Sequence, residues 1–145
     1  MKSTQKVTRI KLKINPHNDY VLLGLVSSEP DYKLSLSLNN KFKISLKNIS
    51  PVILSGDNNS EPAFSRFSNN DSAEDMVFNL VSNRSGKNFL LKKLRNIDFL
   101  FQIHSENEIN INNITSILRE IDIVTAVFNI DINTLKDKNL QYLTQ

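Results

Sequence analysis

The chain has 145 residues, 39% apolar side chains, no cysteine and a formal net charge of +3. That is one domain's worth of sequence, expected to span 1–145, with enough Ile, Leu, Val and Phe to build its own core. The missing cysteines exclude disulfides, thiolate metal sites, iron–sulfur clusters and cysteine nucleophiles.

The charge is uneven. Residues 1–55 carry nine Lys/Arg against three Asp/Glu, and residues 56–145 carry nine against twelve. A basic front half favours anionic partners, or simply makes an unevenly charged surface. The twenty Asn share AT-rich codons with the abundant Ile and Lys, a bias expected to fill surface positions.

In chain order, "KVTRIKLKI" alternates. Thr8, Ile10, Leu12 and Ile14 share one face, while Arg9, Lys11 and Lys13 share the other, the pattern of a half-buried strand. Pro16 ends it, and Asn18 or Asp19 is placed to cap a short helix through "YVLLGLVSS". "EPDYKLSLSLNNKF" fits two periods. Leu34, Leu36 and Leu38 alternate, but Leu34, Leu38 and Phe42 also fall on one helical stripe. Pro30 and Asp31 make a good helix start, so the reading is helix. "KFKISLKN" then reads as a short strand through Ile44 and Leu46.

"SGDNNSEP", at 55–62, is the strongest loop signal. Strands are expected at 63–68 and 75–83, joined through "SNNDSAE", with a turn at "NRSGKN". The next strand runs over 97–104, with Ile97, Phe99, Phe101 and Ile103 on one face and Asp98, Gln102 and His104 on the other. Ile111, Ile114, Leu118 and Ile121 form a helical stripe, with Asn110 as its N-cap. "IDIVTAVFNID" is a β-branched strand, and "INTLKDKNLQYL" packs back as a short helix or turn. These elements predict an α+β two-layer sandwich: a mostly antiparallel sheet with helices on one face, built of ferredoxin-like β-α-β elements plus an inserted hairpin.

No catalytic constellation is assembled locally. His17 has no acidic or histidine partner at helical ligand spacing, His104 has only Glu108 four residues on, past the end of an expected strand, and three glycines leave no phosphate loop. No metal and no cofactor is therefore expected. "RSGK" offers either an anion-binding nest using Arg84 and Lys87 or a turn with Gly86 in a left-handed position. Glu74/Asp75 and Glu106/Glu108 lie in expected loops, and no serine sits in a nucleophile elbow. Arg9, Lys11 and Lys13, joined by Lys43 and Lys47, would make a basic RNA-contacting face, but no aromatic alternates with them for base stacking. The N-terminus shows no apolar signal core, and no run reaches the roughly 18 apolar residues of a membrane span, so the expected location is the cytoplasm.

The stretch "LLKKLRNIDFLFQI" resembles the signature of the IPExxxVDY family, small uncharacterised proteins of Bacteroidota bacteria. Leu91 stands at the family's Ile, and Ile97, Asp98 and Phe99 stand at its Val, Asp and Tyr, while Lys92 and Lys93 replace its Pro and Glu. "LLGLVSSEPDYKLSLSLN", "VFNLVSNRS" and "DIVTAVFNIDINTLKDKNL" are also similar to family segments, in the same order. The resemblance implies a cytoplasmic bacterial protein with Asp31 and Tyr32 on a helix. It brings no activity, cofactor or catalytic residue. Asp98 is expected to accept backbone hydrogen bonds from the preceding turn, or else to share a binding role with Arg84, Lys92 or Lys93. The function expected is a non-enzymatic domain that binds another protein. The alternatives are an RNA-associated factor using the basic strand, or a small-ligand regulatory domain. A second copy of the chain is a further candidate partner, and a membrane is not expected.

Overall fold

The computed structural model describes residues 20–54, 61–70 and 75–144. The expected strand over 6–14, with Arg9, Lys11, Lys13 and His17, lies outside them. So do parts of the two loops, at 55–60 and 71–74.

The chain runs β1 (Tyr20–Val26), α1 (Asp31–Phe42), β2 (Lys47–Ile53), β3 (Ala63–Ser68), β4 (Met76–Ser82), β5 (Arg84–Ser85), β6 (Asn88–Phe89), β7 (Phe99–Ser105), α2 (Ile111–Arg119), β8 (Ala126–Ile130), α3 (Ile132–Leu135) and a 3-10 helix, Lys138–Thr144. Six strands form one sheet in the order β2-β3-β4-β7-β1-β8, and every neighbouring pair is antiparallel. β7 separates β1 from β4, and β1 separates β7 from β8. The units β1-α1-β4 and β7-α2-β8 are therefore split β-α-β units, with the β2–β3 hairpin inserted in the first.

Both faces of the sheet are covered. Leu34 and Leu38 of α1 and Ile114 and Leu118 of α2 pack on the first face, against Leu23, Leu25, Phe78, Phe101 and Ile103. The Phe78 and Phe101 rings stack there, 5.5 Å apart. Among the described residues the second face carries no long helix. The irregular stretch after β6, with Leu90, Leu91 and Ile97, covers Tyr20, Leu22, Val81 and Leu100, joined by Leu143 from the C-terminal 3-10 helix.

Three expectations need correction. "YVLLGLV" is not a helix but the strand β1. Its neighbours explain this: β7 and β8 pair it on both edges, and its side chains enter both cores, Leu22 one way and Leu23 and Leu25 the other. A strand buried on both faces shows a continuous apolar run, which periodicity alone does not separate from a buried helix. Ile44–Leu46 is not a strand. Lys43 turns into the left-handed region at φ 57° to end α1, and Asn39 then holds the Leu46 backbone from both sides of its amide. β2 begins only at Lys47. Ile97 does not share a face with Phe99. It precedes the strand, in a turn closed by its N–H donating to the Leu94 carbonyl, and packs in the second core. There it crosses Gly24, where a β-carbon would sit 2.7 Å from Ile97 Cδ1, so the absence of a side chain on β1 makes the crossing feasible.

The helix readings hold. α1 starts after Pro30, with Asp31 in its first turn, and Lys33 pairs with Glu29 at 2.8 Å. α2 starts where expected, the Asn110 side chain accepting from the Asn113 N–H at 3.0 Å. Burial holds the Tyr20 phenol above its ordinary pKa, because the charged form loses water there. The folded state thus keeps a proton that the unfolded chain releases. Stability is unaffected below the ordinary tyrosine range, about pH 10, and falls as pH rises through it toward the raised native value. Tyr20→Phe is expected to lessen that alkaline loss, read as a smaller drop in urea midpoint between neutral and strongly alkaline buffer.

Candidate functional site

The connection from β4 to β7 contains the residues the sequence singled out. It opens with the small β5–β6 hairpin, where Gly86 takes φ +60°. It then covers the sheet with irregular backbone, whose buried N–H and C=O groups need partners. Asn83, fully buried, supplies them. Its Nδ2 donates to the carbonyls of Leu94 (2.9 Å) and Ile97 (3.0 Å), and its Oδ1 accepts the Leu91 N–H (2.8 Å). Its own N–H donates to the Asp98 carbonyl, and its carbonyl accepts from the Leu90 N–H.

Asp98 accepts a backbone hydrogen bond, but not from the preceding turn. Its Oδ2 accepts the Ser27 N–H at 3.0 Å, from the loop that follows β1. Its Oδ1 meets Arg84 Nε at 2.6 Å. Arg84 also donates to the Arg95 carbonyl, and its guanidinium lies 5.1 Å from the centre of the Phe89 ring. Asp98 therefore ties the ends of β1 and β7 to the β5 turn. Leu91 and Ile97 are buried in the second core and Phe99 in the first, so the stretch resembling a family signature carries packing residues. Lys87, Lys92, Lys93 and Arg95 are exposed.

Sequence reasoning missed the asparagines. Asn83 and Asn69 are almost wholly buried, and Asn69 closes β3 onto β4 by accepting the Phe78 N–H at 2.6 Å. Asn139 donates to the Leu90 carbonyl at 2.7 Å and fastens the C-terminal segment to the covering stretch. A composition bias toward surface residues does not describe these positions. Asn is used here because its side-chain amide satisfies one backbone donor and one or two acceptors at once.

The sheet has two edges of different character. β2 carries Lys47 and Pro51 and is irregular between Ile49 and Val52, all features that discourage another strand from pairing. β8, "AVFNI", has no charge and no proline, and its register on β1 is unbroken. Among the described residues its outer edge pairs with nothing. Phe128 on this strand is 44% exposed. Beside it lies a hollow of about 270 Å³, whose lining includes the apolar Leu94, Ile97, Ile130 and Leu135 and the polar Asn96, Asp131 and Thr134. Lys93 donates to the Leu135 carbonyl at 3.2 Å, which puts a cationic side chain at this end of the covering stretch, with Lys92 and Arg95 next to it in sequence.

No helix among the described residues is long and apolar enough to cross a membrane, and no group of three or more His, Asp or Glu gathers there as a metal site. No protein-family model matches the chain, and no curated protein matches it.

Proposed function

We propose that this is a protein-binding domain that extends its sheet at β8 with a strand from its partner. The observation that supports this is the contrast between the two edges: β2 is guarded, while β8 is regular, uncharged and flanked by an exposed Phe128 and a hollow of mixed lining. Strand addition draws affinity from main-chain hydrogen bonds and specificity from side-chain pockets. The basic residues 92, 93 and 95 favour a partner segment with acidic residues around one apolar anchor. Two copies joined edge to edge would bring these cations onto one face of the shared sheet, which disfavours self-pairing.

The test is affinity capture from native extract with and without nuclease, comparing the wild type with Phe128→Lys. Lysine at this position gives β8 the guard that β2 already has. The expected result is a protein partner that survives nuclease and is lost with Phe128→Lys, while the half-exposed position leaves the melting temperature nearly unchanged. A partner held equally by the variant overturns the β8 proposal. Loss of every partner on nuclease treatment transfers the reading to RNA association.

A further inference from the structure

At the opposite end of the sheet from β8, the second face holds a cavity of about 200 Å³. Its walls come from β2, β3, β4, β7 and the C-terminal segment. Val81 and Leu143 are apolar parts of the lining, and Asn79, Gln102, His104 and Arg66 are polar parts. The volume equals about seven water molecules' share of liquid, at about 30 Å³ each.

Gln102 distinguishes this cavity from a surface dent. It is fully buried in the central strand β7, a position that the four apolar residues Phe99, Leu100, Phe101 and Ile103 show to be core. Its Oε1 accepts from Asn79 Nδ2 at 3.2 Å. Its Nε2 has no hydrogen-bond partner among the described residues. A buried amide donor left in this state costs free energy that a leucine here would not, so its presence asks for a reason. Elsewhere the molecule does not tolerate such waste: Asn83, equally buried, uses both ends of its amide.

We infer that the cavity is a binding site for a small carboxylic acid with a short branched apolar body, whose oxygen accepts the hydrogen bond of Gln102 Nε2. The apolar walls fit the body, and a few convergent polar groups set its orientation, as in ordinary ligand sites. Arg66, whose Nε donates to the Ser50 carbonyl at 3.0 Å, closes one side of the lining, and the acceptor that Gln102 Nε2 needs is what a carboxylate has and an ammonium lacks. The ring of His104 is backed by Tyr20, 5.4 Å away between ring centres, which fixes that wall. Unlike the β8 edge, this site lies on β3, β4 and β7, and the two proposals stand or fall separately.

The probe is isovalerate, with isopentylamine as a control of the same carbon skeleton that offers a cation in place of the acceptor. The readout is the side-chain NH₂ resonance of Gln102 in the ¹H–¹⁵N spectrum of the whole chain. Isovalerate is expected to shift this resonance saturably and isopentylamine to leave it in place. Gln102→Leu is expected to weaken isovalerate binding by about tenfold or more, a loss of about 1.4 kcal/mol, while keeping the folded backbone spectrum and raising the melting temperature. Gln102→Glu is the second variant. It removes the Nε2 donor and, at a pH high enough to ionise the buried carboxyl, sets a carboxylate against the ligand's own, so binding of isovalerate is expected to be lost there. An unmoved Gln102 resonance, an equal response to the amine, or undiminished binding by Gln102→Leu overturns the site.

Discussion

Asn83→Ala is expected to be the most damaging single polar substitution in the chain, lowering unfolding free energy by roughly 3–5 kcal/mol. The variant removes three side-chain hydrogen bonds at once, takes from the Ile97 carbonyl and the Leu91 N–H the partner that Asn83 supplies, and leaves the Leu94 carbonyl with the Ile97 N–H alone. Each bond is worth about 1 kcal/mol net, and each buried group left without a partner adds about 1–3 kcal/mol before relaxation. Against a typical total of about 5–15 kcal/mol, that is a large share. The damage should begin locally, because Asn83 is what converts an irregular stretch into a cover for Leu22, Val81 and Leu100. Hydrogen exchange at Leu91 should accelerate more than exchange in β7. Asn83→Asp keeps the acceptor for Leu91 but turns a carboxylate toward two carbonyls, so it should do no better than alanine. A urea curve displaced by less than about 1 kcal/mol for Asn83→Ala would refute this account.

Asp98→Ala is expected to cost about 1.5–3 kcal/mol, the range for a hydrogen bond to a charged acceptor. The useful comparison is with its neighbours. Arg84→Ala removes the ion pair but leaves the carboxylate on the Ser27 N–H. The Arg84 side chain is 50% exposed, so its pairing should contribute only about 0–1 kcal/mol. Asp98→Asn keeps an oxygen for Ser27 and loses the charge, and should recover most of the stability. The expected order of loss is Asp98→Ala, then Asp98→Asn and Arg84→Ala together. If Arg84→Ala proves as costly as Asp98→Ala, the ion pair and not the tie to β1 is the source of the stability.

These residues also show where reading the sequence stops. α2 was legible because its stripe and its Asn110 cap are local, a cap reaching three residues along the chain. β3, β4 and the Gly86 turn were legible for the same reason. The bonds made by the Asn83 side chain span 8 to 14 residues, and the bond from Asn139 to Leu90 spans 49. Asp98 reaches Ser27 across 71. Nothing in a one-residue environment announces such partners. Ile97 misled because strict alternation holds only inside a strand, and β7 starts two residues later. Gln102 was rightly placed opposite Phe101. Its burial depends on β4 and on the C-terminal segment folding over that face, which no local pattern encodes. The difference between the sheet's edges was invisible until strand order was known, since Phe128 reads the same on an edge as in the interior.

The position of β1 in the sheet sets how long it waits for its partners during synthesis. β1 is the apolar strand between β7 and β8, yet the ribosome produces it long before either partner. At ordinary elongation rates it waits roughly ten seconds for β7, and longer for β8. During that interval "YVLLGLV" is a sticky segment on a nascent chain, of the kind that chaperones hold.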